Sequence, residues 1–321
     1  MRIAFLLGLC LMVGLIVHDG AAQILALLTH ASWLLLWLVP LRALPITLDA
    51  IGWRALVTVP VRLYTLFRIA CVREAINRLL PVANIGGEVV GIGLLARSVG
   101  TAEATASVVV EVLMTLVSQY LFVAIGVVCV LHLTGAVRLT ADLMLLLAAS
   151  LPVIVLLVLL MRYGSLFGWL RRIGARLLGS GVRAPGGGID VDAAIRALCR
   201  RHGRLARSIL WQLAGQLAGS AETWLALRWL GHPVGIVEAV AIESLTQAVR
   251  NFAFMVPAGI GVQEASLVGL AHVLGFGTDA ALALSLAKRM REVLFGVPAL
   301  LAWQWIEGRR GWRYARERLS R

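Results

Sequence analysis

Leu80-Pro81-Val82-Ala83-Asn84-Ile85-Gly86-Gly87-Glu88 and Val256-Pro257-Ala258-Gly259-Ile260-Gly261-Val262-Gln263-Glu264 are two stretches of this sequence that share one pattern. In each stretch a Pro precedes a Gly-containing turn, and a Glu follows the Pro by seven positions. Segments interrupted by Pro and Gly at corresponding places in two halves of a membrane protein indicate a site near the middle of the bilayer. The repeat therefore predicts two related halves that meet at one site.

The composition of the chain indicates an integral membrane protein. Hydrophobic residues make up 60% and charged residues 15%, whereas a soluble domain is ~45–50% apolar and ~25% charged. The net charge of +13 comes almost entirely from Arg, because Lys288 is the only lysine. These basic residues are scattered among apolar segments, which favours positive-inside topology over nucleic-acid binding.

The apolar segments predict an all-α polytopic fold. A full span needs ~20 apolar residues, and the predicted spans are 3–17, 23–41, 104–132, 141–161, 208–230 and 278–306. Arg-rich loops then lie on the cytoplasmic side, together with both termini. This orientation is consistent only if two further segments, 79–97 and 257–275, do not cross the membrane.

These two segments are predicted to be re-entrant hairpins. Each limb has ~8 residues, or ~12 Å of helix, which is less than half of a ~30 Å bilayer core. Because irregular backbone at membrane depth must be buried or line a cavity, the two hairpins predict a central cavity. The predicted units are an N-terminal transmembrane helix (1–22), a first half with the hairpin 79–97 (23–132), a linking transmembrane helix and basic cytoplasmic loop (133–207), an inverted second half with the hairpin 257–275 (208–306) and a basic cytoplasmic tail (307–321).

Glu88 and Glu264 are the leading candidates for function. Each begins the returning limb of its hairpin, where a carboxylate can cap free helix N–H groups. Each is also an ionisable group at membrane depth, which is usually functional, so a role in proton transfer or headgroup contact stays open beside the capping role. The residues predicted to shape the hairpin tips are Pro81, Gly86, Gly87, Pro257, Gly259 and Gly261.

Other polar residues surround the predicted cavity. Arg73 and Asn77 precede the first hairpin, and Arg250 and Asn251 precede the second; they either hold a lipid phosphate or form a salt-bridged rim. Opposite charges on the two long helices predict pairing across the cavity, and Glu292 has Lys288 four residues before it as a local alternative. The predicted cavity residues are Arg73, Asn77, Glu88, Glu111, Glu243, Arg250, Asn251, Glu264, Arg289 and Glu292.

Several catalytic patterns are absent from the sequence. It contains no GxxxxGK[ST], HExxH or GxSxG motif. The four cysteines have no metal-ligand spacing. No catalytic residue, metal or cofactor is therefore predicted.

The run from Arg73 to Gly91 and the run from Val256 to Glu264 resemble the signature of the hopanoid-biosynthesis-associated membrane protein family. That family is similar to the membrane-embedded, flippase-like part of lysylphosphatidylglycerol synthases, and the resemblance covers nearly the whole chain. It implies lipid handling in a bacterial inner membrane, without the cytosolic synthase domain of the larger relatives.

The resulting hypothesis is a lipid transporter or flippase. Its substrate would be a hopanoid or a related polar-headed lipid, moved by alternating access with protons carried by Glu88 or Glu264. Expected partners are the lipid, the membrane and lipid-biosynthesis or export proteins. The alternatives are a lipid-headgroup transferase and a non-catalytic scaffold of a lipid-biosynthesis complex.

Overall fold

The computed structural model describes residues 33–80, 86–163, 188–252 and 262–319. Within these ranges the chain contains helices and turns and no strand. After a 3-10 turn at Trp33–Trp37, the helices are α1 (Leu38–Leu41), α2 (Ala43–Arg54), α3 (Leu63–Leu79), α4 (Gly86–Val99), α5 (Thr101–Thr134), α6 (Val137–Tyr163), α7 (Gly188–Cys199), α8 (His202–Trp229), α9 (Ile236–Phe252), α10 (Val262–Leu274) and α11 (Thr278–Leu319).

The long helix α5 is bounded by glycine at both ends. Gly100 has φ 88° and Gly135 has φ 62°. Residues with a Cβ are strained in this left-handed region, so glycine is the residue that ends a helix or begins one there at little cost. Between Gly100 and Gly135 the sequence is apolar, and the helix continues without interruption for 34 residues.

Three helical stretches in the described part of the chain have the length and apolarity of membrane spans: Trp33–Arg54, Thr101–Thr134 and Val137–Leu160. The last two confirm the predicted spans 104–132 and 141–161. The first overlaps the predicted span 23–41 but continues to Arg54. The predicted span 3–17 lies outside the described residues. The protein is therefore an all-α, multi-pass membrane protein.

Helices α8 and α11 coincide with the predicted spans 208–230 and 278–306 but are less apolar. They have 28 and 42 residues, which at ~1.5 Å per residue is more than a bilayer core requires. Charged side chains interrupt both helices, Glu222 in α8 and the group around Lys288 in α11. The burial of these charges is described below.

The connections around the repeated motifs differ from the expected 8-residue limbs. The first motif lies between α3 and α4, which have 17 and 14 residues, and the second lies between α9 and α10, which have 17 and 13. The returning limbs, α4 and α10, are therefore longer than expected, while α3 and α9 precede the predicted hairpins 79–97 and 257–275. Pro81, Pro257, Gly259 and Gly261 lie outside the described residues, and the re-entrant path of both segments stays a prediction.

The two predicted halves are joined by extensive packing. In the first half, Trp53, Leu66 and Leu95 belong to one buried cluster. Helix α3 also packs on α11 of the second half, where a Cβ added to Gly296 would lie 2.6 Å from Leu79 Cδ1. Glycine at 296 therefore allows these two helices to approach closely, and this contact brings the charged residues of both halves together.

Candidate functional site

Arg73 is the centre of a charged cluster in the first half. Its Nη2 donates to the carboxylate of Glu88 and, at 2.6 Å, to Glu111 Oε2. Its guanidinium lies over the ring of Trp53, 4.7 Å from the centroid. Arg73 is only 8% exposed, and a cation this deeply buried needs such partners to offset its loss of hydration. The cluster thus ties α3 to α4 and α5.

Asn77 connects α3 to α4 at the turn between them. Its Oδ1 accepts a hydrogen bond from the Gly87 N–H at 2.9 Å, and its Nδ2 donates to Glu88 Oε1 at 3.3 Å. The first turn of α4 is therefore capped by an amide from α3, while the Glu88 side chain binds Arg73 and Asn77. Glu88 in this arrangement contributes to the polar cluster.

Two glycines of α4 make room for this cluster. A Cβ added to Gly87 would lie 2.5 Å from the Arg73 carbonyl oxygen and 2.6 Å from Asn77 Oδ1. A Cβ added to Gly91 would lie 2.6 Å from Arg73 Cδ. Gly87 was predicted to shape the hairpin tip, and in the structure it allows α4 to pack directly on the charged side chains of α3.

The second half contains a buried pair of its own. Lys288 Nζ lies 2.5 Å from Glu243 Oε2, and both side chains are buried. Thr223 and Gln247 also donate to the Glu243 carboxylate, at 2.5 and 2.7 Å. Glu243 thus accepts from three helices, α8, α9 and α11, and its charge is fully compensated.

Glu264 is the third residue of α10, as Glu88 is of α4. It accepts from Ser285 Oγ at 3.1 Å and lies 3.7 Å from Arg289 Nη2. Its side chain is 33% exposed, so its environment is wetter than that of the Arg73 cluster. The neighbouring Gln263 accepts from Arg250 Nη1 at 2.5 Å, which ties α9 to α10.

A closed ring of six charged residues joins the two halves, and we call it the inter-half ring. Its contacts, in order, are Arg42–Glu74 at 2.5 Å, Glu74–Arg78 at 3.3 Å, Arg78–Glu292 at 3.8 Å, Glu292–Arg291 at 3.7 Å, a short Arg291–Glu222 pair, and Glu222–Arg42 at 3.8 Å. Arg42, Glu74 and Arg78 belong to the first half; the other three belong to the second. Both contacts that cross between the halves measure 3.8 Å, longer than every contact within a half.

The structure brings most of the predicted cavity residues into contact, but as ion pairs rather than as separate lining groups. Arg73, Asn77, Glu88 and Glu111 form the first-half cluster described above. The other predicted residues lie in the second half: Glu243 with Lys288, Arg250 with Glu292, and Glu264 with Arg289. Asn251 is exposed at the end of α9. Gly86 is the first residue of α4.

The predicted pairing of charges on the two long helices is wrong. Glu111 of α5 binds Arg73, and Lys288 of α11 binds Glu243, each within its own half. Nor does Glu292 pair with Lys288; its contacts are with arginines. The physical reason is that α3 and α9 carry a complementary charge beside each long helix, closer than the opposite half.

Sequence reasoning missed most members of the inter-half ring. Arg42 and Arg78 were assigned to a cytoplasmic stretch on the basis of their charge, yet both contact buried or half-buried carboxylates. Glu222 offered a usable signal, because it is the only acidic residue within the predicted span 208–230. An isolated acid in a membrane span is costly and indicates a partner or a function.

No group of three or more His, Cys, Asp or Glu side chains in the described part of the chain is arranged to hold a metal ion. The polar chemistry seen there consists of arginine, one lysine, carboxylates and amides. This arrangement can bind anions, exchange ion pairs and carry protons on carboxylates.

Comparison with known proteins identifies one family. The family model described as lysylphosphatidylglycerol synthase TM region matches residues 3–299. Searches of curated proteins and of solved structures returned no match.

Proposed function

Because the chain belongs to the lysylphosphatidylglycerol synthase TM region family, we propose that it is a lipid transporter of the bacterial inner membrane. In this proposal it moves hopanoids or related polar-headed lipids between leaflets or toward the outer membrane, with both termini in the cytoplasm. Membership of the family and the apolar helices place it among membrane proteins of lipid metabolism or transport. That the chain transports lipid, rather than modifying it, is our proposal.

The observation that carries this proposal is the inter-half ring. A polar headgroup that crosses a bilayer needs polar partners at membrane depth, because an unpaired charge there is costly. The ring supplies charged side chains of both signs between the two halves. Its two crossing contacts, Arg42–Glu222 and Arg78–Glu292, are the longest in the ring at 3.8 Å, whereas Arg42–Glu74 within the first half is 2.5 Å.

This distribution of contact lengths favours alternating access. Ion-pair energy falls as the separation grows, so the two crossing contacts are weaker than the 2.5 Å Arg42–Glu74 pair within the first half. Each half keeps its own clusters, around Arg73 and around Glu243, and alternating access would require the packing between the halves to rearrange while the crossing contacts break and form again. Protons on Glu88 or Glu264 would drive this cycle, and Glu264 is the more accessible of the two.

The test is the distribution of lipids with and without the protein. Inner and outer membranes are separated from cells that contain or lack the chain, and every lipid species is quantified in each. We expect a changed distribution with unchanged totals, and movement of a labelled polar lipid in proteoliposomes but not in protein-free vesicles. The loss of a modified lipid species with no change in distribution would indicate a transferase and contradict transport.

A further inference from the structure

Three guanidinium groups converge on a single oxygen, Glu292 Oε1. Arg250 Nη1 lies 3.3 Å from it, Arg291 Nη2 3.7 Å and Arg78 Nη1 3.8 Å. Charge-assisted N–H···O bonds are typically ~2.7–2.9 Å long. All three contacts are longer than this. Each arginine also has a closer partner, Glu222, Gln263 or Glu74, so the Glu292 carboxylate is loosely shared by three cations that approach from α3, α9 and α11.

The arginines around this point outnumber the glutamates that contact them, and Asp49 is a further acidic group near Arg42. The inter-half ring together with Arg250 contains four arginines against three glutamates, namely Arg42, Arg78, Arg250 and Arg291 with Glu74, Glu222 and Glu292. Arg291 is only 6% exposed, and its Nε has no hydrogen-bond partner among the described residues. Buried donors are rarely left without an acceptor, so this N–H is available to an oxyanion, while Oε2 of the neighbouring Glu222 is a buried acceptor that also has no hydrogen-bond partner among the described residues.

We propose that Arg78, Arg250 and Arg291 form a binding site for a tetrahedral oxyanion of the phosphate class, and that the Glu292 carboxylate occupies this site as an internal competitor. A phosphate offers several acceptor oxygens that point in different directions, which suits guanidinium forks arriving from three helices. The inference rests on the proposed function in one respect: the phosphate would be carried by a transported polar-headed lipid of the phospholipid class, since a hopanoid has no phosphate. A free phosphate ion has the same chemistry.

Binding at this site is coupled to the contact between the halves. When an oxyanion displaces Glu292, the Arg78–Glu292 contact breaks, and that is one of the two contacts by which the ring crosses from the first half to the second. An anionic headgroup would then loosen the closed arrangement, whereas a neutral lipid would leave Glu292 in place. The site thus selects lipids by charge.

The experiment measures binding to the purified full-length chain in detergent. The thermal unfolding midpoint is followed against inorganic phosphate at constant ionic strength, and again with dihexanoyl-phosphatidylglycerol and with dihexanoylglycerol, which lacks the phosphate. We expect Glu292→Gln to bind the phosphate group about tenfold more tightly because the competitor is removed, and Arg250→Gln to bind it about tenfold less tightly. Glu238→Gln is the matched control, because Glu238 is a partly exposed acid of α9 that lies outside the charged clusters and accepts from the Gly235 N–H.

The two variants shift affinity in opposite directions, which a purely structural ion pair would not produce. Binding by Glu292→Gln that equals or falls below the wild type overturns the proposal, as does an identical response of wild type and Arg250→Gln. If Arg250→Gln does not fold, Arg78→Gln is measured in its place with the same expected loss. An arginine variant, Arg250→Gln or Arg78→Gln, that binds no phosphate but has a normal unfolding midpoint without ligand supports the site.

The ligands distinguish the source of the phosphate. Stabilisation by phosphatidylglycerol but not by the inorganic ion assigns the site to a headgroup; stabilisation by the inorganic ion alone assigns it to a free anion. If neither phosphatidylglycerol nor inorganic phosphate stabilises the protein, the proposed site is refuted. Because the assay measures binding only, binding without lipid movement in proteoliposomes contradicts the proposed function alone, and lipid movement without any phosphate effect contradicts this inference alone.

Discussion

Glu111 and Lys288 occupy the same place in their helices and carry opposite charges. Each lies ten residues after the beginning of a long helix, α5 or α11. Each is buried and pairs with a residue of the 17-residue helix that precedes the turn in its own half: Glu111 with Arg73, and Lys288 with Glu243. The long helix therefore carries the acidic member of the pair in the first half and the basic member in the second, at the same position in the helix.

The contacts that hold each half together are shorter than the ring contacts that join the halves. The Arg73–Glu111 and Glu243–Lys288 pairs are 2.6 and 2.5 Å long, whereas the crossing contacts of the inter-half ring are 3.8 Å long. Interactions this different in length differ in strength. We therefore expect variants of the pairs to affect folding first, and variants of the ring to affect function first.

The Glu243–Lys288 pair gives the first prediction. Glu243→Gln or Lys288→Met alone leaves a buried charge without a partner, so we expect each to lower the unfolding free energy by about 3–5 kcal/mol. The double variant Glu243→Gln/Lys288→Met removes both charges, and we expect it to be more stable than either single variant. Thermal unfolding midpoints in detergent, with Glu238→Gln as the control, measure this. Costs that simply add in the double variant would show that the two residues do not interact.

The glycines of α4 give the second prediction. Gly87→Ala and Gly91→Ala each place a methyl group within 2.6 Å of Arg73 or Asn77, and overpacking of this kind costs about 1–3 kcal/mol. Gly93→Ala is the matched control on the same helix, because a Cβ there meets nothing within 4 Å. We expect Gly93→Ala to be neutral or stabilising, since alanine favours helix over glycine by up to about 1 kcal/mol. Equal unfolding midpoints for all three variants would contradict the close packing of α4 on α3.

The helical class and two of the spans were predictable from the sequence. The segments 104–132 and 141–161 are long and continuously apolar, and hydrophobicity alone requires them to be helices in a membrane. Glu88 and Glu264 were also identifiable, because the Pro-Gly-Glu pattern repeats. In the structure each of them is the third residue of the helix after its turn.

The partners of these residues were not predictable from spacing. Ion pairs such as Arg73–Glu111 and Arg78–Glu292 join residues far apart in the chain, and their formation depends on how the helices pack. Charge counting assigns arginine to loops, so it placed Arg42 and Arg78 outside the helical core.

Membrane topology gives the third prediction. The inverted arrangement places residues near Arg97 on the cytoplasmic side and residues near Gly275 on the periplasmic side. Gly275 has φ 80°, a strained conformation for cysteine, so Val273, which is 41% exposed, is the better position for a label. In a background without the four native cysteines, we expect Arg97→Cys to react with a membrane-impermeant reagent only after the membrane is opened, and Val273→Cys to react in closed cells. Reaction of both from the same side would contradict the inverted topology.

The final prediction separates the roles of Glu88 and Glu264. Glutamine keeps the shape of each side chain and removes its charge. Glu88 is held by Arg73 and Asn77, so among the described residues Glu88→Gln leaves Arg73 with Glu111 as its remaining carboxylate partner. Hydrogen bonds to charged groups contribute about 1.5–3 kcal/mol, and we expect a loss of unfolding free energy in that range.

Glu264 is half-exposed, and its ion pair with Arg289 is long at 3.7 Å, so Glu264→Gln should cost about 1 kcal/mol or less. If Glu264 carries protons or contacts the headgroup, its variant should lose most lipid movement in proteoliposomes while its expression and unfolding midpoint stay close to the wild type. Glu238→Gln, which removes one partly exposed carboxylate elsewhere in the second half, should keep both stability and lipid movement. Normal lipid movement by the double variant Glu88→Gln/Glu264→Gln, at normal expression, would show that neither carboxylate takes part in transport.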